Sequence, residues 1–322
     1  MVRLQVNLLG KFCASRGEQE LVAFRSGKVK ELLCYLLLHH EREHAREVLA
    51  ARMWGECTTP LSKKYLRQAL WQIHQGLRDL ECESAGPLHA DAESVRLDLS
   101  EGIDLDVENI ERAFQKANNL PASRLDEGTA EGLHRAVALY RGELLPGCYL
   151  DWCLYHRERL QNMYLTMLDT LMAYSELHAQ YESGKELGER SLKEDPARER
   201  TYVRLMRLDF LSGDRGGALR RFQKCEAALR EELNVRPSRT TLDLCEQIRS
   251  DTLSAPVGAS SPICAVPSPD ADIADAKHAE DPALPLQKRL ENIRALLVRM
   301  RQRIQLDIKA VDDAISLRDH TR

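Results

Sequence analysis

The chain of 322 residues is long enough for two ordinary domains, and its 43% hydrophobic content is sufficient to give each a core. A formal net charge of −4 excludes a uniformly basic coat but leaves room for a local basic surface, which is what a nucleic-acid site requires. No run of about 18 apolar residues occurs, so the composition reads as a soluble globular protein without a membrane span.

The opening MVRLQVNLLG is a short alternating segment rather than a charged head followed by a long apolar stretch, so a cytoplasmic location is expected. The nine cysteines (Cys13, Cys34, Cys57, Cys82, Cys148, Cys153, Cys225, Cys245, Cys264) are odd in number, scattered and without a C-x-x-C pair. They read as reduced thiols. Cys148 and Cys153, in CYLDWC, are the nearest pair; a redox role is weighed there against packing, and packing is preferred.

Residues 2–9 alternate polar and apolar, and ELVAF at 20–24 is a second strand candidate beyond the turn-like SRGEQ. From Ser26, a capping residue by type, Val29, Leu32, Leu33, Leu36 and Leu37 recur at helical spacing. A second helix is expected over about 46–54, with Val48, Leu49, Ala51 and Met53 as its apolar content. Thr58-Thr59-Pro60 then breaks the chain, and a third helix runs from about Ser62 to Leu80, ending before Gly86-Pro87. LHADAESVRLDL alternates on either side of a polar tip at 91–94, the pattern of a hairpin. Strands, three helices and a terminal hairpin make the order of a winged helix-turn-helix over residues 1–100.

From Ile103 nearly everything has helical periodicity, as in LDVENIERAFQKA, EGLHRAVALYRGELL and the long WCLYHRERLQNMYLTMLDTLMAYSELHAQY. A displacement of 34 residues matches Leu171-Met172 to Leu205-Met206, Gly184 to Ala218 and Gly188 to Phe222, with Pro196 and Pro237 following the two helix pairs. That is the spacing of tetratricopeptide helix pairs, which stack because one pair cannot bury its own apolar face. The second copy has the fuller signature: Tyr202, Leu205, Met206, Ala218 and Phe222, with SGDRGGA as the inter-helix turn. The helical domain is placed at 103–251 and a disordered linker, rich in Ala, Pro, Ser and Asp, at 252–285. In the last segment, 286–320, Leu286, Leu290, Ile293, Leu297, Met300 and Ile304 take the a/d spacing of a short coiled coil, with a helix folding back on the helical domain as the alternative. Seven Lys or Arg against two acids between Lys288 and Lys309 read first as a solvated coiled-coil face and second as a further DNA contact. The expected fold is mainly α: an N-terminal α+β winged helix-turn-helix, an all-α tetratricopeptide-like domain, a disordered linker and a C-terminal helix.

His40-Glu41-Arg42-Glu43-His44 spells the H-E-x-x-H of zinc peptidases, in which two histidines one helical turn apart hold the metal and the glutamate activates a water. Its context argues against that chemistry. Helical periodicity stops at Leu38, no G-x-x-H follows, and KYLRQ occupies 64–68 where a further glutamate ligand would be sought. A solvated polar turn is expected, with no metal, no cofactor and no catalysis.

The strongest functional signal is LSKKYLRQALWQIHQGLRDL. Leu66, Leu70, Ile73 and Leu77 form one apolar stripe; Lys64, Gln68, Trp71 and Gln75 lie opposite, flanked by Arg67 and Gln72. Between Cys57 and Arg78 there are four cationic residues and no carboxylate, whereas an ordinary exposed face would mix in Glu or Asp. A phosphate backbone repels carboxylates and attracts lysine and arginine, and arginine and glutamine present bidentate patterns to guanine and adenine edges. Lys64, Arg67, Gln68, Trp71, Gln72 and Gln75 are therefore assigned to the major groove and Lys63 to phosphate. An exposed Trp71 needs a partner, either the nucleic acid or the following domain. In the hairpin, Arg96 and His89 are offset by Asp91 and Glu93, so Arg96 is a candidate contact on a weakly basic wing.

Taken together, LLGKF, SGKVKELLCYLLLH, AREVLAARMWGE and KKYLRQALWQIHQGLRDL, followed by LDVENIERAF, ALYRGELLPG, WCLYHRERL and GGALRRFQKCEAALREELNVRPS, resemble the Streptomyces antibiotic regulatory protein (SARP) type of bacterial activator over about residues 4–250. The resemblance implies an OmpR-type winged helix followed by a bacterial transcriptional activator domain, binding to repeats in double-stranded promoter DNA, and recruitment of RNA polymerase holoenzyme. It places His39 to His44 in the variable turn between the first two helices. Members often carry several arginines late in the recognition helix, where this chain has Gln72, His74 and Gln75, so a different DNA sequence is expected to be read. The ATPase loop of larger relatives, G-x-x-x-x-G-K-[ST], does not occur, and no receiver domain is expected ahead of the winged helix. A homodimer through 286–315 is expected from the heptad steps. The competing reading is a helical-repeat scaffold whose winged helix binds protein rather than DNA.

Overall fold

The computed structural model describes residues 3–17, 19–20, 27–78, 87–118 and 120–253. The cap at Ser26, the strand candidate at 20–24 beyond Glu20, the linker beyond Leu253 and the C-terminal helix lie outside the described residues. In chain order the elements are β1 (Leu4–Asn7), β2 (Cys13–Arg16), β3 (Gln19–Glu20), α1 (Gly27–Leu38), β4 (His44–Ala45), α2 (Arg46–Met53), α3 (Thr59–Arg78), β5 (Leu88–Ala90), β6 (Ser94–Leu97) and β7 (Ile103–Leu105). Helices follow: α4 (Asp106–Ala117), α5 (Glu127–Leu139), α6 (Asp151–Leu177), α7 (Tyr181–Glu194), α8 (Glu199–Leu211), α9 (Arg215–Leu233) and α10 (Arg239–Arg249). The architecture is mainly helical behind a small α+β region, as the residue pattern predicts.

Three elements depart from the sequence reading. Helix α3 starts at Thr59, not near Ser62: Pro60 sits inside the first turn, where its missing N–H has no intrahelical partner to lose, and the Thr58 carbonyl accepts from Leu61 and Ser62. In α2 the buried residues are Leu49, Ala50 and Met53, while Val48 and Ala51 face solvent. An eight-residue helix spans barely two turns, so its apolar content leaves the choice of buried face underdetermined. Ile103–Leu105 is a strand, not the start of a helix, and it pairs in parallel with β1, Leu4 opposite Ile103 and Val6 opposite Leu105. The sheet order β3-β2-β1-β7 ties the first strand to the segment that leads into the helical region, while β4-β6-β5 forms the wing.

The joint between the two regions is tied by buried polar groups as well as by apolar contact. Asp106, 3% exposed, accepts at Oδ2 from the Leu8 and Leu9 amides (2.8 and 2.9 Å) and at Oδ1 from its neighbour Val107 (2.8 Å). Burial raises this carboxyl's pKa, and the three N–H donors oppose the rise. Across the same turn, Gly10 donates to the Glu143 carbonyl (2.9 Å) and Leu145 to that of Leu8 (2.9 Å). Gly10 holds φ +77°, and a Cβ there would lie 3.2 Å from the Arg141 carbonyl oxygen, so the close approach requires glycine. From α6, Arg157 donates to the carbonyls of Leu144, Leu145 and Cys148 (3.0, 3.1 and 3.0 Å), fixing the 144–148 loop. A single apolar cluster runs from Leu4 through Leu208.

In the helical region Leu171, Met172, Leu205 and Met206 are fully buried, as the 34-residue repeat requires. Asp214 caps α9 by accepting from the Gly217 amide (2.7 Å). Buried acids on α6 and α8 are each shared between basic side chains: Asp169 between Arg198 and Arg200, Glu176 between Arg204 and Arg207, Asp209 between Arg221 and Lys185. The seven cysteines among the described residues are free thiols. Cys153 is buried with its Sγ 3.9 Å from the Leu144 carbonyl oxygen, and burial pushes its pKa up to about 12, which suits packing rather than redox chemistry.

Candidate nucleic-acid interface

Helix α3 stands with Leu66, Leu70, Ile73 and Leu77 buried against the winged-helix core. Lys63, Lys64, Arg67, Gln68, Trp71 and Gln72 all lie on its exposed side. Gln75 and His74 are half-buried, because the C-terminal end of the helix sinks toward the core where Ile73, Gly76 and Leu77 are covered. Trp71 is 62% exposed with the helical region in place, so the following domain is not its partner.

The charges on this face are not equivalent. Lys64 and Arg67 meet no carboxylate among the described residues, whereas Lys63 Nζ lies 2.6 Å from Glu47 Oε1 on α2. That lysine holds the Glu47 carboxyl below its usual pKa. Lys63 therefore reaches a phosphate only by leaving Glu47. On the wing, Arg96 sits opposite His89 in the β5–β6 ladder and 4.0 Å from Asp98, too far for a strong pair. Asp91 at the wing tip is consumed by the turn: it accepts from the Glu93 and Ser94 amides (both 2.7 Å) and from the Ser94 hydroxyl, which hold its pKa low. Arg46, which the sequence reading did not single out, fastens this tip to the start of α2 by donating to the Asp91 carbonyl (2.9 Å), while its own amide donates to that of Glu93 (2.9 Å).

A shallow cleft of about 230 Å³ opens beside the exposed face, lined by Val29, Trp54, Tyr65, Gln68, Ala69 and Gln72. Trp54 and Tyr65, with ring centroids 6.3 Å apart, form its aromatic wall. Neither was singled out from sequence, although Tyr65, Gln68 and Gln72 step by three and four and so share one side of the helix.

The H-E-x-x-H letters fold as a turn that leads into β4, with Glu41, Arg42 and Glu43 exposed as expected but the histidines drawn inward. His44 is 7% exposed, its Nε2 donating to the His39 carbonyl (3.0 Å), and His40 Nδ1 donates to that of Leu37 (2.8 Å). The ring of His39 packs edge-on against Tyr35 and against His156 of α6, with centroids 4.5 and 4.9 Å away, and Tyr35 meets Trp152 at 5.4 Å. Burial is the reason for the departure, since these rings seal the contact between the winged helix and α6. Burial drives the pKa of His39 down to about 3 and that of His156 to about 4, and lowers that of His44. Among the described residues no group of three or more His, Cys, Asp or Glu is placed to hold a metal ion, and no helix is long and apolar enough to cross a membrane.

Residues 105–249 match the family of the bacterial transcriptional activator domain. Mycobacterium tuberculosis EmbR, solved in complex with a low affinity phosphopeptide, has a similar fold: TM-score 0.65 at 17% identity, over 79% of this chain and 67% of that one. No curated protein matches the chain by sequence. Residues 105–249 thus match the bacterial transcriptional activator domain family, and the chain carries this stretch behind a winged helix, the arrangement of SARP-type transcriptional regulators.

Proposed function

We propose that the chain is a sequence-specific DNA-binding regulator, an activator that lays α3 in the major groove of promoter repeats and recruits RNA polymerase holoenzyme through its helical domain. The observation that carries this reading is the exposed, carboxylate-free side of α3, on which Lys64 and Arg67 stand unpaired among the described residues and Gln68, Trp71 and Gln72 face solvent. Lys63 and Arg96 supply phosphate contacts at its edges, and Gln75 closes the footprint. The protein works in the cytoplasm, on the nucleoid when bound, as a homodimer joined through residues 286–315. The division into a DNA-binding part at 1–100 and an activator part at 103–251 follows the same assignment.

A gel shift on the chain's own upstream promoter tests the reading. Binding should fall linearly in log–log form as salt rises, and should outlast competition by random duplex. The Lys63–Glu47 pair and the acids near the wing tip favour the scaffold alternative, in which the winged helix binds protein. Absence of any salt-sensitive duplex binding would decide for it.

A further inference from the structure

We infer that Trp71 reads the C5-methyl group of a thymine, so that an A·T pair lies at the centre of the α3 footprint in each half-site. The inference rests on the DNA-reading role proposed above and names what that face selects. Trp71 sits near the middle of α3, between Arg67 and Gln68 one turn before it and Gln75 one turn after it. Its indole is the most exposed of the large apolar side chains on α3, at 62%, and nothing among the described residues covers it. Leaving so large an apolar surface in water forfeits the stabilisation that burial supplies, and a bound partner recovers it.

The chemistry of the groove narrows what that partner is. Along the major-groove edges of the four base pairs, the thymine methyl is the large apolar feature, larger than the C5–H of cytosine, and the remaining groups are hydrogen-bond donors and acceptors. The residues around Trp71 point to the same pair. Gln68 and Gln72 carry side-chain amides that match adenine N6 and N7, and an adenine on one strand sets a thymine on the other. The groups suited to guanine, Lys64 and Arg67, lie on the N-terminal side of Trp71, while Gln68 and Gln72 flank it directly. An ion-pairing role is closed to Trp71, and a role in holding the fold is closed by its exposure.

The test uses the purified full chain and a duplex recovered from a random library by repeated rounds of binding. Each thymine of the recovered site is replaced in turn by deoxyuridine, which removes the methyl and leaves every hydrogen-bonding group in place. The replacement of one thymine per half-site should weaken binding about fourfold, the value of one buried methyl, and the others should have no effect. Trp71→Ala should bind the thymine and deoxyuridine duplexes equally, with an unchanged circular dichroism spectrum, while Trp71→Phe keeps part of the discrimination. Full affinity for every deoxyuridine duplex, or discrimination that survives in Trp71→Ala, would overturn the assignment while leaving sequence-specific binding intact. A failure of the chain to select any duplex would overturn both this assignment and the DNA-binding reading beneath it.

Discussion

Arg67 and Lys63 carry the same charge on the same helix, one turn apart, yet their surroundings give them different work. Lys63 is held 2.6 Å from Glu47 with both groups exposed, a pair of small intrinsic worth that a phosphate can displace. Arg67 is exposed without a carboxylate on its helix, so its planar fork is free to address a base edge. Replacing Arg67 with alanine should cost about 1 to 3 kcal/mol of specific binding and relax selectivity at one position. Lys63→Ala should weaken all sequences alike and reduce the salt slope by about 1. Titration of cognate and random duplexes over a salt series separates the two, and an equal loss on both duplexes for Arg67→Ala would contradict its base-reading role. The exposed side of α3 was legible because period and charge speak together there. The Glu47 contact was not, because it joins residues sixteen apart through a helix crossing that no local pattern encodes.

At the scale of the helix, the 34-residue repeat shows what a glycine does inside α7. Gly188 is buried where α6, α7 and α8 meet, and a Cβ on it would lie 2.5 Å from Leu205 Cδ2 and 2.8 Å from Met172 Cε. Those two neighbours come from the repeat-matched pairs Leu171-Met172 and Leu205-Met206, but the second copy carries Phe222 at the matched position, so the close crossing belongs to the first copy. Gly184, one turn earlier, meets Leu208 and Ser175 in the same way. Gly188→Ala should therefore destabilise the helical region by overpacking, by about 1 to 3 kcal/mol, despite alanine's better helix propensity. Urea unfolding followed by circular dichroism would measure it, and an unchanged midpoint would mean that Leu205 moves aside at little cost. The helix pairs themselves were legible from periodicity and spacing. Local breaks were less so: Pro60 reads as a terminator but opens α3, since the first turn of a helix and the end of one tolerate the same residue.

Across the whole molecule, the least legible feature is the seam between the winged helix and the helical region, because its partners come from distant stretches. The resemblance to known regulators named LLGKF and LDVENIERAF without saying that Asp106 of the second accepts the Leu8 and Leu9 amides of the first. The heptad steps of 286–304 predict an association that light scattering can check: the full chain should have twice the protomer mass and a truncation after about residue 252 should not. Equal protomer counts in the two would reject dimerisation through that segment. The histidines at the seam make a further prediction about pH. His39 and His156 face each other, with His44, Arg42, Arg52 and Arg159 as the other titratable or cationic groups acting on them, and their folded pKa values fall to about 3 and about 4. In the unfolded chain both titrate near the ordinary 6.5. Above that pH both states are neutral and the seam keeps its full stability; as pH falls below it, the unfolded chain takes up protons that the folded seam refuses, and stability is lost progressively toward pH 4. Each histidine contributes at most about 1.4 kcal/mol per pH unit within the window between its folded and unfolded pKa values, and solvent screening narrows that window. His156→Phe removes one of the two titrations, and since Nδ1 of His156 is buried without a hydrogen-bond partner, the phenyl ring gives up no bond there. Melting temperatures between pH 7 and 4.5 should fall for both proteins and less steeply for the variant; parallel curves would show that His156 titrates alike in the folded and unfolded chains.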